Sequence, residues 1–137
     1  MADPAGPSIG MNRDTGRWLT GWPHVVQSMA DILSTPAMTR VMRRAYGSNA
    51  PKLVDAPMNT SSLLGVYVAL ATALAKWEPR YELRNVAFLA ADANGRAEIR
   101  LSGVYYPRGH LGDRTPDGGA ERSASIVQLN ESLWRPA

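Results

Sequence analysis

The sequence contains no cysteine. Disulfide stapling and thiolate metal sites are therefore excluded. Histidine is scarce: His24 and His110 are the only two, and neither has an acidic or histidine neighbour at metal-ligand spacing. Both read as ordinary surface or cap residues. No nucleophile elbow, phosphate loop or zinc motif occurs, and Asn94-Gly95-Arg96 reads as a turn rather than a phosphate cradle. Long apolar runs are also lacking. The longest, at 63–75, falls short of the roughly 20 residues that a membrane-spanning helix needs. The opening MADPAGPSIG lacks the basic-then-apolar layout of a secretory signal. The expectation is a soluble chain with no cofactor, no metal and no membrane partner, suited to the cytoplasm.

What is present fits a single small domain: 137 residues, 45% hydrophobic and 20% charged. Net charge is +3, and 13 of the 15 basic residues are arginine. Arginine makes planar bidentate contacts and sheds water more readily than lysine, which suits protein interfaces as well as nucleic acid. The basic residues are spread along the chain, so the charge is weak evidence for a polyanion partner.

Residues 1–21 are rich in glycine, proline and polar residues and read as an extended N-terminal arm. The domain proper spans 22–129. Pro23 suits a first helical turn, and Val25, Met29 and Ile32 fall on one face of a helix ending near Ser34. Thr35 and Pro36 suggest the cap and first turn of a second helix. On it, Met38, Val41, Met42 and Ala45 make an apolar face, Arg40, Arg43 and Arg44 the opposite one, and Gly47 a terminator. Asn59, Thr60 or Ser61 caps a third helix reaching Lys76. It is apolar nearly all round, which predicts burial nearly all round. Pro79 stops it. Two strands, 81–91 and 96–106, flank an Asn94-Gly95 hairpin turn, with a phase change near Asn85 that suggests a bulge. Residues 107–122 read as a long loop, Ser123, Ala124, Ser125, Ile126, Val127, Gln128 and Leu129 as a third strand, and 130–137 as a tail without clear structure. The fold class is α+β: three helices followed by a three-stranded antiparallel meander packed on the central helix.

Few residues invite a chemical reading. The Arg40/Arg43/Arg44 stripe has no acid on its own predicted helix and suits a contact surface. Glu78 and Arg80 flank a proline that partly fixes their directions. Unaided, they read as a helix stop with an exposed ion pair. Trp77 closes an apolar helix and reads as core. Asp31 suits pairing with an arginine, and Asp55 and Asn59 suit turns and caps.

The run Trp77-Glu78-Pro79-Arg80 follows Asp31-Ile32-Leu33, Thr35-Pro36, the stretch RVMRRAYG at 40–47 and Leu53-Val54-Asp55-Ala56-Pro57-Met58-Asn59. In this order and spacing the segments resemble the W-type baseplate wedge family of contractile phage tails. That family is also labelled lysozyme-like or sheath-initiating, with relatives in R-type tailocins and type VI secretion baseplates. The resemblance covers about 11–106 and implies a structural protein, not an enzyme. It implies that Glu78, Pro79 and Arg80, with Arg40, Arg43, Arg44 and Tyr46, dock on the helical core bundle of the wedge. It also implies that the sheet starts the tail sheath by strand exchange; the expected pairing edge is Ser123 to Leu129, because the hairpin's other strand is already paired inside the sheet. The implied partners are other wedge proteins and the sheath protein, in several copies around a six-fold baseplate. The implied location is the virion tail, assembled in host cytoplasm.

Two other classes compete. A lysozyme-like glycosidase needs two carboxyl groups flanking a cleft. Glu78 and Glu82 are the obvious pair, but Arg84 is close and no sugar-stacking aromatic cluster exists. A small nucleic-acid binder would use the basic second helix on phosphates, but acids are interspersed and no aromatic platform sits among the basic residues. Neither a nucleic-acid nor a small-molecule partner is expected.

Overall fold

The computed structural model describes residues 6–53, 60–91, 97–118, 121–129 and 133–136. The cap expected at Asn59, the segment 54–58 and the turn at 92–95 lie outside the described residues. Within the stretch read as an extended arm, β1 (Ile9–Met11) and β2 (Trp18–Thr20) form an antiparallel hairpin. Asn12 Oδ1 accepts the Asp14 and Thr15 amides at 2.8 and 3.0 Å and so shapes its turn. Strands of three residues are too short to show a period, which is why the sequence is silent about them.

Helix α1 (Trp22–Ser34) has proline in its first turn and buries Val25, Met29, Ala30, Ile32 and Leu33, as the periodicity indicates. The second helix expected from Pro36 does not form. Thr35 caps the end of α1 instead, donating its amide and its hydroxyl to the Asp31 carbonyl at 3.1 and 2.8 Å. Residues 36–48 then make a closed loop. Its ends meet in a Pro36–Ser48 bridge, and Met38 takes a left-handed backbone with φ of 76°. Gly47, at φ 109°, lies so close to the Thr35 carbonyl oxygen that a Cβ would collide with it. The expected apolar face has nothing to pack on: Val41 and Met42 are 80% and 93% exposed. Tertiary contacts of Tyr46 and Ser48 override the helical pattern.

A short helix, α2 (Ala50–Leu53), precedes α3 (Thr60–Trp77). Val66, Leu70, Ala73 and Leu74 of α3 are buried, but Leu64 and Val68 are 62% and 58% exposed. The expectation of burial on nearly all sides therefore fails, because the rest of the chain covers α3 from one side.

The sheet is an antiparallel meander in the order β3 (Tyr81–Ala91), β4 (Ala97–Tyr105), β5 (Glu121–Leu129), β6 (Leu133–Pro136). The β3–β4 register steps between Leu83 and Asn85, where the phase change indicates a bulge, and again between Phe88 and Ala90. The α+β meander on the central helix is as expected, with a fourth strand added. β6 falls in the stretch read as an unstructured tail and pairs with β5 from Leu129↔Leu133 to Ile126↔Pro136. Of the edge formed by Ser123 to Leu129 and read as open, residues 126–129 are covered. A four-residue strand ending in proline is below the length at which alternation can be read. Val25, Met29 and Leu33 of α1, Leu70 and Leu74 of α3, and Ile99, Leu101 and Ile126 of the sheet meet in one core.

Leu70 is fully buried in that core. Leu70→Ala is expected to lower unfolding free energy by about 2–5 kcal/mol. Val68→Ala, on the open side of the same helix, should stay within about 0.5 kcal/mol of the parent. Denaturant titration of both variants checks the pair of outcomes.

Candidate functional site

The site is built where α3 ends. Glu78 closes the helix by donating its amide to the Leu74 carbonyl at 2.9 Å, and the Tyr81 amide bonds the Glu78 carbonyl at 3.2 Å. The chain thus turns around Pro79 and enters β3 at once. This turn puts Glu78 and Arg80 side by side, and both are buried, at 1% and 7% exposure. Arg80 Nε and Nη2 grip the two carboxylate oxygens of Glu78 at 2.6 and 2.7 Å. The pair is a bidentate buried ion pair, where the sequence alone suggests an exposed one.

Arg80 reaches further. Its Nη1 donates to Ser8 Oγ and lies 3.1 Å from His24 Nδ1. Arginine can only donate, so His24 Nδ1 accepts and the ring proton sits on Nε2. Burial, and then the Arg80 charge, hold the His24 pKa below its ordinary value, in keeping with a neutral ring. On the other side, Gly109 approaches the Pro79 carbonyl so closely that a Cβ would clash, which seats the following loop on the turn. Ser8 and His24 are the partners that sequence reasoning missed. A lone histidine and a serine 16 positions away carry no local signal, since only the fold brings them to Arg80.

A second cluster lies nearer the surface. Asp31, on α1, accepts Arg13 Nη2 at 2.9 Å, Arg40 Nη2 at 2.8 Å and the Tyr46 hydroxyl at 2.8 Å. The expectation that Asp31 pairs with arginine holds, twice over. The Arg40 guanidinium lies 4.2 Å above the Tyr46 ring, and Tyr46 packs on Trp77 with ring centroids 5.2 Å apart. Arg43 and Lys76 reach the Trp77 ring at 5.4 and 4.9 Å. Trp77 is thus half-buried in a cationic-aromatic stack and not simply core. Burial, and then the hydrogen bond to Asp31, push the Tyr46 pKa up to about 12. Arg40, Arg43 and Tyr46 come together here although they share no helix face. Arg44 is exposed. The residues from Ser123 to Leu129 lie on β5 of the sheet.

Among the described residues, no group of three histidine or acidic side chains is arranged to hold a metal. Both glycosidase candidates are engaged: Glu78 by Arg80, and Glu82 by Arg84 at 2.9 Å and the Tyr106 hydroxyl at 2.8 Å.

Removing one partner of a buried ion pair strands the other charge without water. Arg80→Leu is expected to destabilise the free chain by about 3–5 kcal/mol, and Glu78→Leu/Arg80→Leu together by less. Thermal unfolding of the three proteins checks the order.

Comparison with known proteins places this geometry. Residues 21–106 match the family described as baseplate wedge protein gp25. Baseplate protein W of Escherichia phage P2 is 41% identical over 101 residues, which cover 74% of this chain and 87% of that protein. A chain of the postcontracted pyocin R2 baseplate superposes with a TM-score of 0.61 at 41% identity, covering 72% of this chain and 98% of its own. A Geobacter sulfurreducens protein, provisionally assigned as a tail lysozyme, superposes with a TM-score of 0.57 at 25% identity, covering 78% of this chain and 90% of its own. The matched region contains α1, the 36–48 loop, α3, the Glu78–Arg80 turn and the first two strands of the meander, and on this evidence the chain belongs to the baseplate wedge protein gp25 family.

Proposed function

We propose that this chain is a non-enzymatic adaptor of a contractile-tail baseplate, holding to the wedge on one side and starting the sheath on the other. The observation that carries the reading is the family match across the whole helical half and the Glu78–Arg80 turn. The phage P2 and pyocin R2 relatives are baseplate proteins. The proposed partners are the other wedge proteins and the sheath protein, with several copies around a six-fold baseplate.

On the wedge side, the geometry favours a division of labour. Glu78 and Arg80 spend their charges on each other, so they set the shape of the turn and do not reach out. Pro79 is exposed at its tip. The contacting groups are Arg43, Arg44 and the Arg40–Tyr46–Trp77 stack, beside the bare Val41 and Met42 side chains. Apolar side chains rimmed by arginine suit a helical partner with an apolar stripe and flanking acids. The engaged state of Glu78 and Glu82 favours this reading over the glycosidase. Arg43→Glu/Arg44→Glu is expected to leave the circular dichroism of the free chain unchanged and to reduce co-purification with wedge proteins at least about tenfold. Normal wedge assembly by that variant would remove the loop from the interface.

On the sheath side, the reading is β-augmentation, in which main-chain groups at a strand edge pair with a strand of another chain. The stretch of β5 that β6 leaves uncovered is 121–125. Alternate residues of a strand point their N–H groups to opposite sides. Proline at Ala124 or at Ser125, whichever faces outward, should therefore give folded protein and complete baseplates without sheath. Electron microscopy of the resulting particles reads the outcome, and sheathed tails from both variants would move sheath initiation to another edge.

A further inference from the structure

The two outer edges of the meander differ in how they refuse a new strand. β3 has two register breaks, at which Arg84 and Leu89 are the extra residues, and an Arg84–Glu82 ion pair sits on the same strand. Bulges and charge are the usual protection of a permanent edge. β5 is regular: eight of its residues pair without a break to β4. Among the described residues its outer side is covered by β6, which spans only 126–129 of the nine residues. Pro136, opposite Ile126, has no N–H and ends the ladder. Among the described residues, no strand lies beyond 121–125, where the Arg122 carbonyl accepts the Tyr81 hydroxyl at 3.2 Å.

We propose that β6 is a removable cover: a strand from a partner chain first pairs with 121–125 and then displaces β6 from 126–129. This inference rests on the strand-exchange reading above and adds how that exchange is controlled. The exchange nearly conserves main-chain hydrogen bonds over the four covered residues, since each bond lost to β6 is remade with the newcomer. The gain comes from the uncovered five. β6 lies against α1 as well as β5, so the newcomer inherits a track bounded by a strand edge and a helix. The fitting partner is an extended segment of about nine residues, matched to the length of β5. Until it arrives, the tethered β6 competes at a high effective concentration. Residues 126–129 of a free chain are therefore shielded from other free chains, whereas a ring that presents several strands at once overcomes the cover.

Val127 and Arg135 are directly paired across the two strands. The parent has no cysteine, so Val127→Cys/Arg135→Cys offers a single disulfide between facing positions. Baseplates carrying the oxidised variant are expected to start sheath about a hundredfold more slowly than the same baseplates after reduction. Equal rates in the two redox states would overturn the displacement step. If the outward proline at 124 or 125 still blocks sheath in that case, strand exchange stands and uses 121–125 with β6 in place. If the proline also has no effect, the strand-exchange reading itself fails. The parent chain gives a second readout by amide exchange. On binding the sheath protein, 121–125 should gain protection while the β6 amides lose it, and β6 amides still protected in the complex would overturn the proposal.

Discussion

The buried ion pair of Glu78 and Arg80 is the constraint on which the rest of the structure depends. Two opposite charges out of water are tolerated only when each satisfies the other and the remaining donors find partners. Arg80 has donors to spare after gripping Glu78, and these draw Ser8 and His24 toward the same point. One side chain thus ties the end of α3, the start of β3, the N-terminal segment and the first turns of α1. The direction in which β3 leaves the helix follows from this knot, and with it the position of the whole meander. A pair that the sequence alone suggests as an exposed helix stop is here a buried fixture at the junction of α3 and β3.

Much of the fold was legible in the sequence because the long elements carry a period. The α1 face from Val25 to Leu33, the run of α3, the hairpin 81–106 and the bulge near Asn85 all left patterns that chain position alone could reveal. The failures have physical causes. Residues 36–46 carry a helical pattern, but a helix there would have to give up the Tyr46–Trp77 packing and the Pro36–Ser48 closure. β6 and the β1–β2 hairpin are too short to show alternation. At the site, the residues were legible and their roles were not. Burial of Glu78 and Arg80, and the arrival of Ser8 and His24, depend on distant contacts.

The open surfaces are consistent with a part of a larger assembly. Leu64 and Val68 on α3, Val41 and Met42 on the loop, and Trp18 on the hairpin all remain in solvent. A free-living small domain seldom leaves so many large apolar side chains uncovered in clusters. They lie on different elements, so a baseplate can meet this chain from more than one side. Family membership supplies the setting for such contacts.

The knot at Arg80 also orders events during synthesis. Its partners Ser8 and His24 precede it by 72 and 56 positions, and a ribosome adds about 5–20 residues each second. For several seconds the N-terminal segment and α1 exist without the residue that fixes them. The apolar side of α1 waits over the same interval for Leu70 and Leu74. The segment that carries Ser8 and α1 therefore leaves the ribosome before the residue that fixes it and settles late, and a chaperone that shields it is best placed near the exit tunnel.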